Sequence, residues 1–334
     1  MYFVFIGVFL LSIGLVHIVI FNAPKWGLMD IPNDRSAHTV HTPRGAGIGF
    51  YFAVALILPI FYFQLLAEHW QMLLAVFLVF LIGILDDHRD AAPKTKFVVL
   101  AISTIILYFD DIYINEVGNY FGIPISLGWL ALPFTIFALI GFTNALNLID
   151  GLDGLAGSIS IVILSAFFYL GSVHQDPFMM IFSGAFIAAL FGFLIFNWNP
   201  ASIFMGDSGS LTLGFIIAML AIKSLAYIPA VSVLFIAAVP LLDTFIVMLR
   251  RKMNKKSLFS ADKCHIHHLL QKFFGDCTKT TVIFLGILQA IYTIIGLQLE
   301  KDIEQTIPML LFILNVVLFY ILLNRMVQRQ GRCC

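Results

Sequence analysis

Charge is what this chain is short of. Of its 334 residues, 11% are Asp, Glu, Lys or Arg and 60% are hydrophobic. With a mean hydropathy of +0.98, that balance excludes a soluble globular protein and implies repeated passage through a bilayer. Net charge is zero, which removes any bulk electrostatic case for nucleic acid as a partner. Cysteine is scarce as well. Cys264, Cys277, Cys333 and Cys334 have no metal-ligand spacing, and the cytosolic placement derived below makes them reduced thiols rather than a disulfide framework. The first apolar segment has no basic leader and no small-residue cleavage site before Asn22, so it reads as a spanning helix and not as a signal peptide. Internal repeats and low-complexity segments are absent.

What is present is a series of apolar runs. Eleven are expected to span the membrane: 3–22, 46–65, 70–85, 97–113, 127–143, 155–172, 178–196, 209–226, 229–249, 280–298 and 306–324. With the N-terminus outside, the inside loops collect every one of the 19 basic residues except Lys223 and Lys301, leaving 17. This positive-inside pattern predicts an odd number of spans and a cytosolic C-terminus. The expected fold is an all-α polytopic membrane protein, with one domain over residues 1–334.

The polar residues gather in loops 23–45, 86–96, 144–157, 197–208 and 250–279, all on the cytosolic side of that map. Outside loops hold acids but no comparable motif. In the stretch from Asn144 to Gly157, Asn144, Asn147, Asp150 and Asp153 recur every third residue. On a straight helix that spacing drifts about 60° per step, so the first and last would face opposite ways. Gly151 and Gly154 offer a break that returns Asp150 and Asp153 to one surface. A polar loop would explain the glycines, but not two amides inside an apolar run, where an unpaired polar group is expensive.

Asp86-Asp87 ends the apolar run from Val79 to Leu85. Adjacent carboxylates at a membrane surface suit a hard cation such as Mg2+, or a base beside a metal-bound phosphate; a solvated helix end is the plain alternative. Phe204-Met-Gly-Asp207-Ser-Gly-Ser210 sets a carboxylate in a glycine-flanked turn before an apolar helix. The N–H groups of that helix start are expected to face a phosphate while Asp207 ligates the metal, against an ordinary N-cap. Pro43-Arg44-Gly-Ala-Gly47 offers a fixed cation on a flexible approach, again suited to a phosphate or nucleotide edge, with a helix start and turn as the plain alternative. His265-Ile-His-His268, near Lys255, Lys256 and Lys263, reads as a phosphate-binding surface rather than zinc, since no Cys or acid stands at the usual spacing. Asp243 is an intramembrane acid and a functional candidate by default, with an ion pair to Arg250 or Arg251 as the equal alternative.

Taken in order, Asp30-x-Pro-Asn, Thr42-Pro-Arg-Gly, Gly83-x-x-Asp86-Asp87, Asn144-x-x-Asn147-x-x-Asp150-Gly-x-Asp153, Asn199-Pro-Ala-x-x-Phe-Met-Gly-Asp207 and His265-Ile-His-His268 resemble the polyprenyl-phosphate N-acetylhexosamine-1-phosphate transferases. The resemblance runs from residue 30 to 268 and is closest to the undecaprenyl-phosphate GlcNAc-1-phosphate branch of glycosyltransferase family 4. It implies transfer of a sugar phosphate from a UDP-sugar to a polyprenyl phosphate at the cytosolic face of the bacterial inner membrane, with release of UMP. It implies Asp86, Asp87, Asp150 and Asp153 as catalytic carboxylates. Asp207, Asp86 and Asp87 would hold Mg2+ or Mn2+. Arg44, Lys94, Asn144, Asn147, Asn199, His265, His267 and His268 would bind substrate. Partners are the UDP-sugar, the lipid acceptor and membrane lipids, with a homodimer left open. A FucNAc, QuiNAc or MurNAc-pentapeptide donor remains an alternative, as does a transporter of a phosphorylated solute, which the motif-free outer face disfavours.

Overall fold

The computed structural model describes residues 1–30, 41–253, 265–301 and 304–329. The rest of the Asp30-x-Pro-Asn motif, Lys255, Lys256, Lys263, Cys264, Cys333 and Cys334 lie outside the described residues. Cys277 is a free, exposed thiol.

Thirteen helices are described: α1 (Tyr2–Trp26), α2 (Ala46–Glu68), α3 (Trp70–Arg89), α4 (Pro93–Tyr108), α5 (Ala131–Ile149), α6 (Leu155–Val173), α7 (Pro177–Asn197), α8 (Asp207–Ser224), α9 (Ala230–Ile236), α10 (Ala238–Met253), α11 (Ile266–Phe273), α12 (Thr278–Leu297) and α13 (Thr306–Arg329). Two antiparallel hairpins accompany them, β1 (Met29–Asp30) with β2 (Thr42–Pro43), and β3 (Glu116–Tyr120) with β4 (Ile123–Ser126). Among the described residues nine helices are long and apolar enough to cross a membrane, or ten if the bent pair α9–α10 counts as one span. Ile60, Phe63 and Phe137 are each 73% exposed, an arrangement suited to lipid and not to water. The chain is a multi-pass, all-α membrane protein.

Two of the eleven expected spans depart from a straight crossing. The run at 97–113 yields α4, a helix of 16 residues that starts with Pro at its first turn and stops at Tyr108. At 1.5 Å per residue it covers about 24 Å, short of a ~30 Å hydrocarbon core. The run at 229–249 breaks at Ala237, where α9 and α10 meet at 89°. Pro240 explains the break: it has no N–H for the Ile236 carbonyl four residues back, and its ring clashes there. Gln289 of α12 repairs the exposed backbone. Its Nε2 donates to Ile236 O at 2.7 Å, and its Oε1 accepts from Val239 N at 3.0 Å. A broken helix is tolerated at membrane depth when side chains satisfy the freed groups in this way.

α8 is the central helix. Between Ser208 and Ser224 every residue except Lys223 is buried, so it is apolar on all sides as a wholly enclosed helix must be. Its neighbours α3 and α2 reach it through glycines. A Cβ at Gly83 would lie 2.6 Å from Asp207 O, and Gly47 abuts the Gly209 backbone. Small residues of this kind let helix backbones approach closely in lipid. Gly47 therefore serves helix packing in the first turn of α2, in keeping with the helix start that the sequence also allowed. At the end of the bundle remote from these glycines, Asp176 caps α7 through Met179 N, pairs with Lys223 at 2.9 Å and accepts from the Tyr227 hydroxyl.

Candidate active site

The polar motifs converge. A cleft of about 460 Å3 is lined by Asp30 and Arg44, by Asp86 and Asp87, by Asn147 with Asp150 and Asp153, by Asn199 and Asp207, and by His268. Segments as far apart in sequence as Asp30 and Thr278 thus form one surface, at the end of the bundle where α3 and α5 stop and α6, α8 and α12 start.

Backbone pairing draws the loops together. Phe204 N donates to Pro43 O, Ala46 N to Phe204 O and Gly47 N to Met205 O, so the segment after β2 zips onto the approach to α8. Asn197 knits a second seam: its Oδ1 accepts from Gly154 N and its Nδ2 donates to Ile203 O. Asp153 Oδ2 accepts from Asn199 Nδ2 at 2.9 Å and Ala201 N at 3.0 Å. The break expected at Gly151 and Gly154 is present: α5 ends at Ile149, and Asp150 and Asp153 share the cleft wall.

Asp87 has a role the sequence did not suggest. Its two oxygens accept from Asp207 N at 2.7 Å and Ser208 N at 3.0 Å, and Gly206, at φ +73°, has no Cβ to block that approach. The expectation that the α8 N–H groups face a phosphate is corrected: a carboxylate from α3 already occupies the positive end of that helix. Asp86 and Asp207 instead share one cation. Lys96 Nζ lies 2.8 Å from a carboxylate oxygen of each. Asn147 Nδ2 donates to the other Asp207 oxygen at 2.9 Å and to Ser210 Oγ at 2.7 Å. Asp150 stands in the same cleft, and burial together with the charges of Asp207, Asp87 and Asp153 holds its carboxyl well above the usual carboxylate range.

Lys94 is exposed and Asn144 is exposed one turn before Asn147; neither lines the cleft. Of the three histidines His268 alone lines it. His265 Nδ1 meets Asp243 Oδ2 at 2.6 Å, so Asp243 pairs with histidine and not with the arginines considered from sequence. His267 is 1% exposed, its Nε2 packed on the Gly151 backbone, and burial pushes its pKa down to about 3. Lys96, Gln271 and Thr278 are functional candidates that the motifs did not single out. Pro93 at the start of α4 was the available signal for Lys96, since it fixes the first turn and places Lys96 one turn inside the helix.

The family model for glycosyl transferase family 4 matches residues 69–225, which include the Asp86-Asp87, Asn147–Asp153 and Asp207 segments. A Bacillus subtilis (strain 168) protein called a probable undecaprenyl-phosphate N-acetylglucosaminyl 1-phosphate transferase is 32% identical over 307 residues, 89% of this chain and 84% of its own. The undecaprenyl-phosphate alpha-N-acetylglucosaminyl 1-phosphate transferase of Escherichia coli (strain K12) is 29% identical over 309 residues, again 89% and 84%. A phospho-N-acetylmuramoyl-pentapeptide-transferase of Streptococcus pneumoniae serotype 19F (strain G54) is 36% identical over 245 residues, 68% of this chain and 74% of its own. Identity at that level across most of both chains, with the cleft's acids inside the matched region, makes this chain a member of glycosyl transferase family 4.

Proposed function

We propose that the chain transfers N-acetylhexosamine-1-phosphate, with GlcNAc-1-phosphate as the preferred unit, from a UDP-sugar to undecaprenyl phosphate. An oxygen of the lipid phosphate attacks the sugar-linked phosphorus. The bond from that phosphorus to the bridging oxygen breaks, and UMP leaves carrying that oxygen. The product is the lipid-diphosphate sugar that starts a cell-envelope glycan such as O-antigen or teichoic acid. The names of relatives that align along most of the chain support this reading. So does the basic-residue distribution, which favours a cytosolic cleft in a bacterial inner membrane, where UDP-sugars are available.

The observation that carries the mechanism is Lys96 between Asp86 and Asp207. It marks where positive charge belongs in a wall of carboxylates that must receive phosphates. The oxygen donors there are hard and suit Mg2+ or Mn2+. Asp207 and Asp86 would hold the ion, which when bound offsets charge on the phosphate oxygens. Asp87 fixes the start of α8, and Asn147 holds Asp207 in orientation. Lys96, Arg44 and His268 supply cationic or donor groups toward the diphosphate. A phosphate monoester has its second pKa near 6, so little proton remains for a base to remove at neutral pH. Asp86 and Asp87 accordingly serve positioning rather than deprotonation.

Detergent-purified protein with undecaprenyl phosphate and Mg2+ is expected to release UMP from UDP-GlcNAc, and to stop in EDTA. UMP from UDP-MurNAc-pentapeptide alone would move the chain to the muramyl branch, and UMP from UDP-FucNAc or UDP-QuiNAc alone would indicate a deoxysugar donor.

A further inference from the structure

Asp243 is a fully buried acid, 0% exposed, on a helix that contributes nothing to the cleft lining. Both its oxygens are committed to α11, more than twenty residues later in sequence. Oδ2 meets His265 Nδ1 at 2.6 Å, and Oδ1 accepts from Ile266 N, the first N–H of α11. α11 has no side-chain cap of its own from His265, and at eight residues it is too short to persist without tertiary support. On its face toward the cleft stand His268 and Gln271, three residues apart and both in the lining. Between cap and cleft the rings are in series: His265 stacks on His267 at 5.5 Å, His267 meets His268 at 4.3 Å, and His267 rests on Gly151, beside Asp150.

We infer that Asp243 is a positioning residue for the donor diphosphate, acting by fixing α11 so that His268 and Gln271 stand over the cleft. The inference rests on the donor reading above. Replacing the carboxylate by an amide leaves one oxygen for two buried N–H groups, so one of them loses its acceptor, and the helix that carries His268 loses its charged cap. Asp243, His265 and His267 also offer ligand atoms within 4.8 Å of one another. Both carboxylate oxygens already accept N–H groups, while His267 Nδ1 is buried without a hydrogen-bond partner, so metal content is read beside hydrogen exchange.

The test uses the full chain in detergent or nanodiscs, comparing Asp243→Asn with the unaltered protein. Hydrogen exchange over residues 266–273 is expected to speed up while α8 stays protected. KM for UDP-GlcNAc is expected to rise about tenfold or more, the scale of a lost charge-assisted bond, with KM for the lipid phosphate within about twofold. In a His268→Ala background the same substitution is expected to cost much less, because both changes remove one contact. If Asp243→Asn does not fold, His265→Gln, which keeps an N–H for the carboxylate, should retain more donor affinity than His265→Ala. Unchanged exchange over 266–273 would overturn the anchor. Loosened exchange with an unchanged donor KM would overturn its link to the diphosphate, and a stoichiometric transition metal lost on substitution would replace it with ligation. If the unaltered protein releases no UMP from any UDP-N-acetylhexosamine, the donor reading fails, and exchange over 266–273 still decides whether Asp243 anchors α11.

Discussion

Between Asp86 and Asp207, the Lys96 ammonium bonds to both carboxylates, so its removal leaves two acids facing each other beside Asp150. Lys96→Met is expected to lower UMP release by about a hundredfold or more, the usual cost of losing one preorganised charge at a phosphoryl-transfer site. Lys94→Met, at an exposed position off the cleft, should stay within about twofold; equal losses for the two would contradict the assignment. Asp150 gives a prediction of opposite sign for stability. Its folded carboxyl is held above the ordinary value by burial and neighbouring acids, so the folded state retains a proton that the unfolded state releases. Stability from this group is present below about pH 4 and falls as pH rises toward the folded pKa. In EDTA, Asp150→Asn should therefore raise the melting temperature at pH 7.5, with a smaller gain near pH 5, while lowering activity. These residue-level features were only partly legible in the sequence. The acids could be listed from their motifs, but the cation between two of them depends on how α4 lies against α3.

At the scale of elements, the break between α9 and α10 depends on α12, where Gln289 makes the two shorter bonds and Thr293 Oγ1 donates a longer one to Ile236 O at 3.3 Å. Gln289→Leu removes both bonds to the freed backbone and is expected to cost about 1–3 kcal/mol, read as a lower melting temperature in detergent; an unchanged value would mean water or lipid satisfies the break. Pro240 was visible in the sequence and could have warned that 229–249 would not be straight. Its compensating partner lies some fifty residues away, and no local pattern encodes it. α11 adds a pH dependence. His267 is buried with its pKa pushed down to about 3, so the neutral ring stabilises the fold above the ordinary value near 6.5, and that stabilisation is lost as pH falls from there toward 3. His267→Leu should blunt the loss of thermal stability between pH 6.5 and 5. The phosphate-binding reading of His265–His268 rested on a string of letters; the fold spends two of the three rings on packing and presents His268 to the cleft.

For the whole molecule, hydropathy carried most of the helical architecture, because membrane helices must satisfy their backbones internally and so announce themselves by length and composition. The sequence also grouped the polar motifs on one side, and the cleft brings residues from each group together. It could not give the depth at which the helices meet, which Gly47 and Gly83 set by admitting backbone contact with α8. Orientation has its own test. Cys277 is an exposed thiol at the cleft end of α12, so a membrane-impermeant maleimide should leave intact cells unlabelled and label it after permeabilisation. Labelling of Cys277 in intact cells would reverse the topology. The most direct measurement of the central claim follows UMP and lipid together, using purified protein, UDP-GlcNAc, undecaprenyl phosphate and Mg2+. The account predicts equal amounts of UMP and lipid-diphosphate GlcNAc, both lost in Asp207→Asn; UMP formed without the lipid product, or an Asp207→Asn protein as active as its parent, would contradict it.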